Sequence, residues 1–377
     1  MNILILSVTA GGGHNSAARA MQEYFLTAGA QSEILDIYGY ISPAIASSIN
    51  KGYLWLASRA KRAYGLGYHI AEKRTPLRIA EITPAEIVHM PVAWEIHQYI
   101  EKSRPDAIIF THAFAGIILH TLKREGKISV PTVGILTDFA FHPYWEDATA
   151  NDYVVIPSPH LRFQGMRKGF REEQLLPFGI PVSLRFGESM PKEKARLALG
   201  LSPDKKTVLV MSGSMGYGKM TETLTALDGM PPDADFQIIA VCGSNRKLHE
   251  EIDTLGLRHR ILNLGFADNV DLLMDASDVI VTKPGGLTTS EALVKRLPMV
   301  IVNPVPGQEM RNTEFLLNCG AAVASNGVCS AAELTYRLLS SDARREAMRL
   351  SIEELRRPDS TKDICEFVMG LLKEPSP

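Results

Sequence analysis

The sequence predicts an α/β protein made of two Rossmann-like halves, each a doubly wound parallel sheet, facing a central cleft. Three observations carry this. Short apolar runs alternate with stretches of helical spacing. The pattern restarts near the middle of the chain. Glycine-rich turns follow several of the apolar runs. A length of 377 residues exceeds one typical core, so two domains are expected.

The first half opens with the strand-like run NILILSV (2–8), the glycines 11–13 and a helix in which Ala17, Ala20, Met21, Tyr24 and Phe25 recur at helical spacing. Further strands are predicted at EILDI (33–37), DAIIF (106–110), PTVGIL (131–136) and DYVVI (152–156). The Pro- and Gly-rich stretch near residues 178–188 reads as a linker. The second set runs TVLVMS (207–212), FQIIAVC (236–242), RILNLG (260–265), DVIVT (278–282) and PMVIVN (298–303). The expected division is 1–180 and 181–357, with a C-terminal helix over about 358–377 packing back on the first domain.

Composition excludes several classes. A net charge of −2 argues against a general nucleic-acid binder. Cys242, Cys319, Cys329 and Cys365 lack CxxC spacing and read as reduced cytosolic thiols. No signal peptide and no apolar run long enough to span a bilayer are read, and the histidines lack a metal-ligand spacing.

Four stretches carry candidate chemistry. In SVTAGGGHNSAA (7–18), Gly11, Gly12 and Gly13 bring bare backbone to a strand–helix turn and leave His14 at the mouth of the helix. GSMGYGK (213–219) nearly fits a P-loop, but Met220 stands where a magnesium-binding Ser or Thr belongs, so by itself it reads first as a plain tight turn and second as a turn whose amides bind a diphosphate. In TKPGGLTTSEAL (282–293), Gly285 and Gly286 allow close approach, and Thr288, Thr289 and Ser290 offer hydroxyls. The helix N-terminus there suits a diphosphate. Glu291 either accepts two hydrogen bonds from a ribose diol or complements that N-terminus. NPVPGQEMRN (303–312) gathers Gln308, Glu309 and Asn312, groups suited to sugar hydroxyls or to a solvated loop.

GGGH, GSMG, CGSN, LGF, KPGGLTTSEAL and PGQEMRN in that order, with TDFAFHPYW (137–145), resemble the monogalactosyldiacylglycerol synthase and processive diacylglycerol glucosyltransferase family. These are two-domain transferases of the GT-B fold and glycosyltransferase family 28. The undecaprenyl-linked GlcNAc transferase of peptidoglycan synthesis is a more distant relative. The resemblance covers roughly 1–370, with KPGGLTTSEAL its most specific piece. THAF (111–114) departs from it, standing where the family often has a Pro after the His.

The resemblance implies a UDP-hexose donor held by the second half and diacylglycerol bound by the first. Gly12, Gly13, Gly213, Ser214 and Met215 would line the diphosphate side, and backbone near Phe266 would meet uracil. Gly285, Gly286, Leu287 and Thr288 would cap the diphosphate, Glu291 would hold the ribose, and Gln308, Glu309 and Asn312 would read the hexose. His14 is the candidate base, because its ordinary pKa near 6.5 leaves it mostly neutral at pH 7 and a helix N-terminus disfavours its cation. His112, His142 and Asp138 are candidates to orient the base or acceptor. No cofactor or metal is expected, since helix dipoles can stabilise leaving UDP.

Residues 51–78 hold seven Lys or Arg against a single Glu72, interleaved with Tyr53, Trp55, Tyr64 and Tyr68. Such a segment suits anionic headgroups, at roughly 1 kcal/mol per basic residue. The expected setting is therefore cytoplasmic, peripheral on the inner membrane face. Three alternatives stay open: a polyprenyl-linked acceptor, a nucleotide-sugar-binding protein without catalysis, and a P-loop ATPase.

Overall fold

The computed structural model describes residues 1–9, 12–41, 84–213, 219–231 and 234–373. The basic segment 51–78, Gly11, Ser214 and Met215 lie outside the described residues. The chain forms two compact units. The first comprises 1–184, 306–308 and 359–377, and the second comprises 185–305 and 309–358.

In the first unit β1 (Asn2–Ser7) leads into α1 (Gly13–Thr27), then β2 (Gln31–Asp36), α2 (Ile37–Ile41) and α3 (Pro84–Ser103). There follow β3 (Ala107–Phe110), α4 (Ala113–Arg124), β4 (Thr132–Ile135), β5 (Tyr153–Val155), α5 (Arg162–Arg167) and β6 (Leu175–Leu176). The second unit holds α6 (Lys192–Ala198), β7 (Lys206–Met211), α7 (Met220–Asp228), β8 (Phe236–Val241), α8 (Arg246–Asp253) and β9 (Ile261–Leu264). It continues with α9 (Val270–Ala276), β10 (Val279–Thr282), α10 (Gly286–Val294), β11 (Met299–Ile301), α11 (Gln308–Asn318), β12 (Ala322–Ala324), α12 (Ala331–Leu339) and α13 (Asp342–Leu355). The last helix, α14 (Ser360–Leu371), belongs to the first unit.

Both sheets are six-stranded, with orders β2-β1-β3-β4-β5-β6 and β12-β11-β10-β7-β8-β9. Every pairing is parallel. Central strands such as β3 and β8 are buried along their length, as sheets covered by helices on both faces require. The expected α/β class and the ten runs read as strands are found. The two further strands, β6 and β12, are short and lie at sheet edges.

Strand order fixes where ligands can go. In the first sheet the chain moves from β1 to β2 on one side and then crosses to β3 on the other, so the order reverses between β1 and β3. In the second it runs β7-β8-β9 and then returns to β10 on the other flank of β7. Crevices at the carboxyl ends of strands flanking such a reversal are the binding positions of open α/β sheets.

The first core packs Ile3, Ile5, Met21, Phe25, Ile109 and Val133 with Ile364, Cys365 and Val368 of α14. Ser360 Oγ and Thr361 Oγ1 donate to the carbonyls of Ile180 and Val182 at 3.0 and 2.6 Å. Packing is tight around Phe110. A Cβ on Gly134 would lie 2.6 Å from its ring and one on Gly116 2.7 Å. In the second unit a buried pair, Arg196–Asp278 at 2.7 Å, joins α6 to the start of β10.

Candidate functional site

His14 follows β1, and Thr111 follows β3, so the two flank the reversal in the first sheet. His14 Nδ1 lies 2.6 Å from the carbonyl oxygen of Thr111 and 3.2 Å from Thr137 Oγ1, beyond β4. A carbonyl only accepts, so Nδ1 carries the proton and the lone pair of the neutral ring sits on Nε2. Burial holds the imidazole below its usual range of about 6.5, and the Thr111 bond opposes this to a lesser extent. A half-buried ring that is neutral and fixed at one nitrogen is a base with one available site.

The turn beneath His14 is tied down. Ser7 Oγ donates to Asn15 Oδ1 at 2.6 Å, and Asn15 Nδ2 donates to Thr9 Oγ1 at 3.1 Å. The Thr9 hydroxyl and amide both donate to Asp36 Oδ2, whose other oxygen accepts from Gly39 N at 3.0 Å. Carbonyl, hydroxyl and carboxylate from β1, β2 and β3 thus brace one residue. Sequence reading did not find Thr111, Thr137, Asn15 or Asp36. The available signal was their position at or just after carboxyl ends of parallel strands.

His112 packs edge-on to His14, with ring centroids 4.8 Å apart, and its Nδ1 accepts from Phe114 N at 3.1 Å. His142 Nδ1 accepts from Tyr144 N at 3.3 Å, at the start of a 3-10 helix over Pro143–Ala148. In both rings the remaining proton is therefore on Nε2 when neutral. Asp138 is half-buried. Gln308, grouped with the first unit, donates from Nε2 to the carbonyl of Ala140 at 2.8 Å.

In the second unit the reversal is flanked by Gly213 after β7 and Gly285 before α10. Gly213 has φ 76°, which suits glycine, and among the described residues nothing would lie within 4 Å of a Cβ placed there. Gly285 caps α10 without any side-chain cap. The helix bonds begin with Thr289 N donating to Gly285 O at 2.9 Å, so the amides of Gly286, Leu287 and Thr288 have no carbonyl one turn back. Ser290 Oγ is spent on the Gly286 carbonyl at 2.9 Å, whereas Thr289 Oγ1 is buried with no hydrogen-bond partner among the described residues.

Glu291 lies one turn further along α10. Burial and the charge of Asp271 push its carboxyl up to about 8, against the pull of Arg185. Asn312 is fully buried and donates to the Pro284 carbonyl at 2.9 Å, fixing the turn that precedes α10. Glu309 pairs with Lys283 at 3.2 Å and accepts from Val305 N at 2.6 Å. Phe266, after β9, is 72% exposed. Among the described residues no cluster of His, Cys, Asp or Glu could hold a metal ion, and no helix is long and apolar enough to cross a membrane.

Residues 14–182 match the monogalactosyldiacylglycerol (MGDG) synthase family, and residues 207–348 match the glycosyltransferase family 28 C-terminal domain. The fold and these domain matches define a glycosyltransferase of the GT-B class. The two matched domains follow one another in order and together span most of the chain. The chain is 28% identical over 370 residues to the processive diacylglycerol β-glucosyltransferases of Bacillus pumilus and Bacillus subtilis, covering 97% of this chain and 94% of each relative. Among solved structures it is similar to Acinetobacter baumannii MurG, with TM-score 0.64, 14% identity and coverage of 98% and 99%. It is also similar to the glycosyltransferase of kitacinnamycin, with TM-score 0.62, 15% identity and 98% of both chains covered. At these identities the structural likeness speaks for the fold alone.

Proposed function

We propose that the protein transfers a hexose from a UDP-sugar to diacylglycerol with inversion, at the cytosolic face of a membrane. The observation that carries this is the fixed tautomer of His14, which leaves Nε2 as a single available base at the reversal of the first sheet. The acceptor hydroxyl gives its proton to Nε2 as its oxygen attacks the anomeric carbon. A new C–O bond forms, the bond from that carbon to the diphosphate oxygen breaks, and UDP departs with the electron pair. One displacement from the back side inverts the centre.

The second unit holds the donor. The uncapped amides of Gly286, Leu287 and Thr288 and the N-terminal dipole of α10 favour the diphosphate and the charge it gains on leaving. Gly213, at the carboxyl end of β7, borders the same diphosphate, and Ser214 and Met215, assigned the same role from sequence, lie outside the described residues. Glu291 binds the ribose diol, backbone at Phe266 meets uracil, and Gln308, Glu309 and Asn312 border the hexose. The chemistry runs without a bound metal, and activity should therefore survive EDTA. Residues 51–78 bring the first unit to anionic lipid.

The test offers a mixture of UDP-hexoses with diacylglycerol in micelles and reads lipid products by mass. A monohexosyl product supports the reading. No lipid product from any donor overturns the acceptor assignment, and product appearing only on a polyprenyl phosphate moves it to that class.

A further inference from the structure

A cavity of about 500 Å³ lies in the second unit, away from the candidate site residues. Its lining comes from the first residue of α6 (Lys192), the first of β7 (Lys206), Asp278 just ahead of β10, and the first two turns of α13. It thus opens at the amino ends of β7 and β10. Gly213 and Gly285 mark the carboxyl ends of the same strands. Six residues of β7 separate the two edges, roughly 20 Å at about 3.3 Å per residue.

The charges do not balance. Asp278 is taken by Arg196 at 2.7 Å and by the Thr207 amide at 2.8 Å. Asp342 is shared between Arg345 and Lys206, and Glu346 pairs with Arg349 at 3.4 Å. Arg345 is 3% exposed and is further held by the carbonyls of Leu338 and Leu339. Lys192 reaches the Ser277 carbonyl and, among the described residues, pairs with no carboxylate. Lys192, Lys206 and Arg349 therefore face one volume with more positive charge than the carboxylates present can neutralise.

We propose that this cavity binds a multiply charged phosphate, either a soluble phosphate or the phosphate of a lipid headgroup. A carboxylate would bring two oxygens and a single charge to three cations. A tetrahedral phosphate offers several acceptor oxygens at once, and the guanidinium of Arg349 suits it in two-point fashion. The cations already feel each other. Burial lowers the Lys192 ammonium to about 8 against the pull of Asp278, and Arg349 and Arg196 lower it further. Burial and then the nearby Arg345 lower Lys206 as well. A dianion would remove that strain by supplying the missing negative charge.

The experiment uses the full chain and a neutral, amine-directed reagent. Trace acetylation by acetic anhydride at pH 8 is read peptide by peptide, with the exposed Lys194 on the same helix as internal reference. With pyrophosphate at millimolar concentration, Lys192 acetylation should slow about tenfold relative to Lys194, because a bound dianion restores the ammonium. Arg349→Gln, on the outer part of the cavity, should weaken that protection at least about tenfold while UDP binding stays unchanged. Vesicles containing phosphatidate, compared with neutral vesicles, form the second arm. Protection by pyrophosphate assigns a soluble ligand, and protection by phosphatidate vesicles alone assigns a lipid headgroup. Unchanged Lys192 labelling in both arms overturns the proposal, as does protection that survives Arg349→Gln undiminished.

Discussion

His14 and Thr111 stand 97 residues apart in sequence, yet the imidazole Nδ1 of one lies 2.6 Å from the carbonyl oxygen of the other. This contact decides which nitrogen carries the proton, and so decides that the basic lone pair is at Nε2. The first prediction follows. His14→Ala should lower kcat by ~10²-fold or more with UDP affinity nearly unchanged. Because burial holds the ring below 6.5, the acidic limb of kcat/KM should fall below that value. A limb above pH 6.5, or near-normal turnover by a folded variant, removes His14 as the base.

Glu291 should make UDP binding depend on pH. Its carboxyl, at about 8 when free, is mostly protonated at neutral pH. A ribose diol donating two hydrogen bonds favours the carboxylate, so binding lowers the pKa and releases a proton. Affinity should rise with pH up to about 8, by at most about tenfold per unit, and then level off. Titration calorimetry in buffers of different ionisation enthalpy would detect the released proton. Glu291→Gln should abolish the dependence, and a dependence of opposite sign would mean that the acid form binds.

The same carboxyl predicts a pH-dependent gain in stability. Its folded pKa is raised above the ordinary 4.5, so the unfolded chain binds fewer protons between 4.5 and about 8. Ionisation there favours unfolding, and the penalty is complete only above about 8. Glu291→Gln should therefore raise the melting temperature of the unliganded protein at pH 9 and leave it little changed at pH 4.5. An equal shift at both values would point to packing instead of charge.

Gly134→Ala should destabilise the first unit by ~1–3 kcal/mol, the usual cost of overpacking. The added methyl would meet the Phe110 ring at 2.6 Å. Pairing it with Phe110→Leu should return part of the loss. A denaturation midpoint equal to that of the parent would show that the ring gives way freely.

Residues 51–78 should attach the protein to anionic vesicles. Replacing Arg59, Lys61 and Arg62 by Ser should cost up to ~3 kcal/mol on such vesicles and little on neutral ones. Sedimentation at low and high salt separates this from apolar insertion, since the Debye length shrinks to ~3 Å at 1 M. Equal sedimentation of variant and parent with anionic vesicles would rule the segment out.

Much of this architecture is readable in the chain because buried parallel strands write themselves as apolar runs. β8 is apolar at five of its six positions and buried at all of them. β6 and β12 escaped because an edge strand of two or three residues has one neighbour and leaves no pattern. His14 was legible from its glycines, but its partners were not, since nothing local couples residue 14 to 111 or 137. Glu291 was legible as a carboxyl in a helix start. Its proton was not, because Asp271 and Arg185 reach it from other elements. The polar cluster after β11 was also visible. That the Asn312 amide is directed at the Pro284 carbonyl required the folded turn.

α14 lays Ile364, Cys365 and Val368 into the core built on β1 and α1, and Cys365 Sγ points at the Met21 carbonyl across 344 residues of sequence. Translation delivers β1 first and α14 only after the whole second unit has emerged. The first unit therefore leaves the ribosome with part of its apolar interior uncovered, while the second already has all of its own strands. The order of folding should then run opposite to the order of synthesis, and a chain stalled before residue 359 would be a substrate for chaperones.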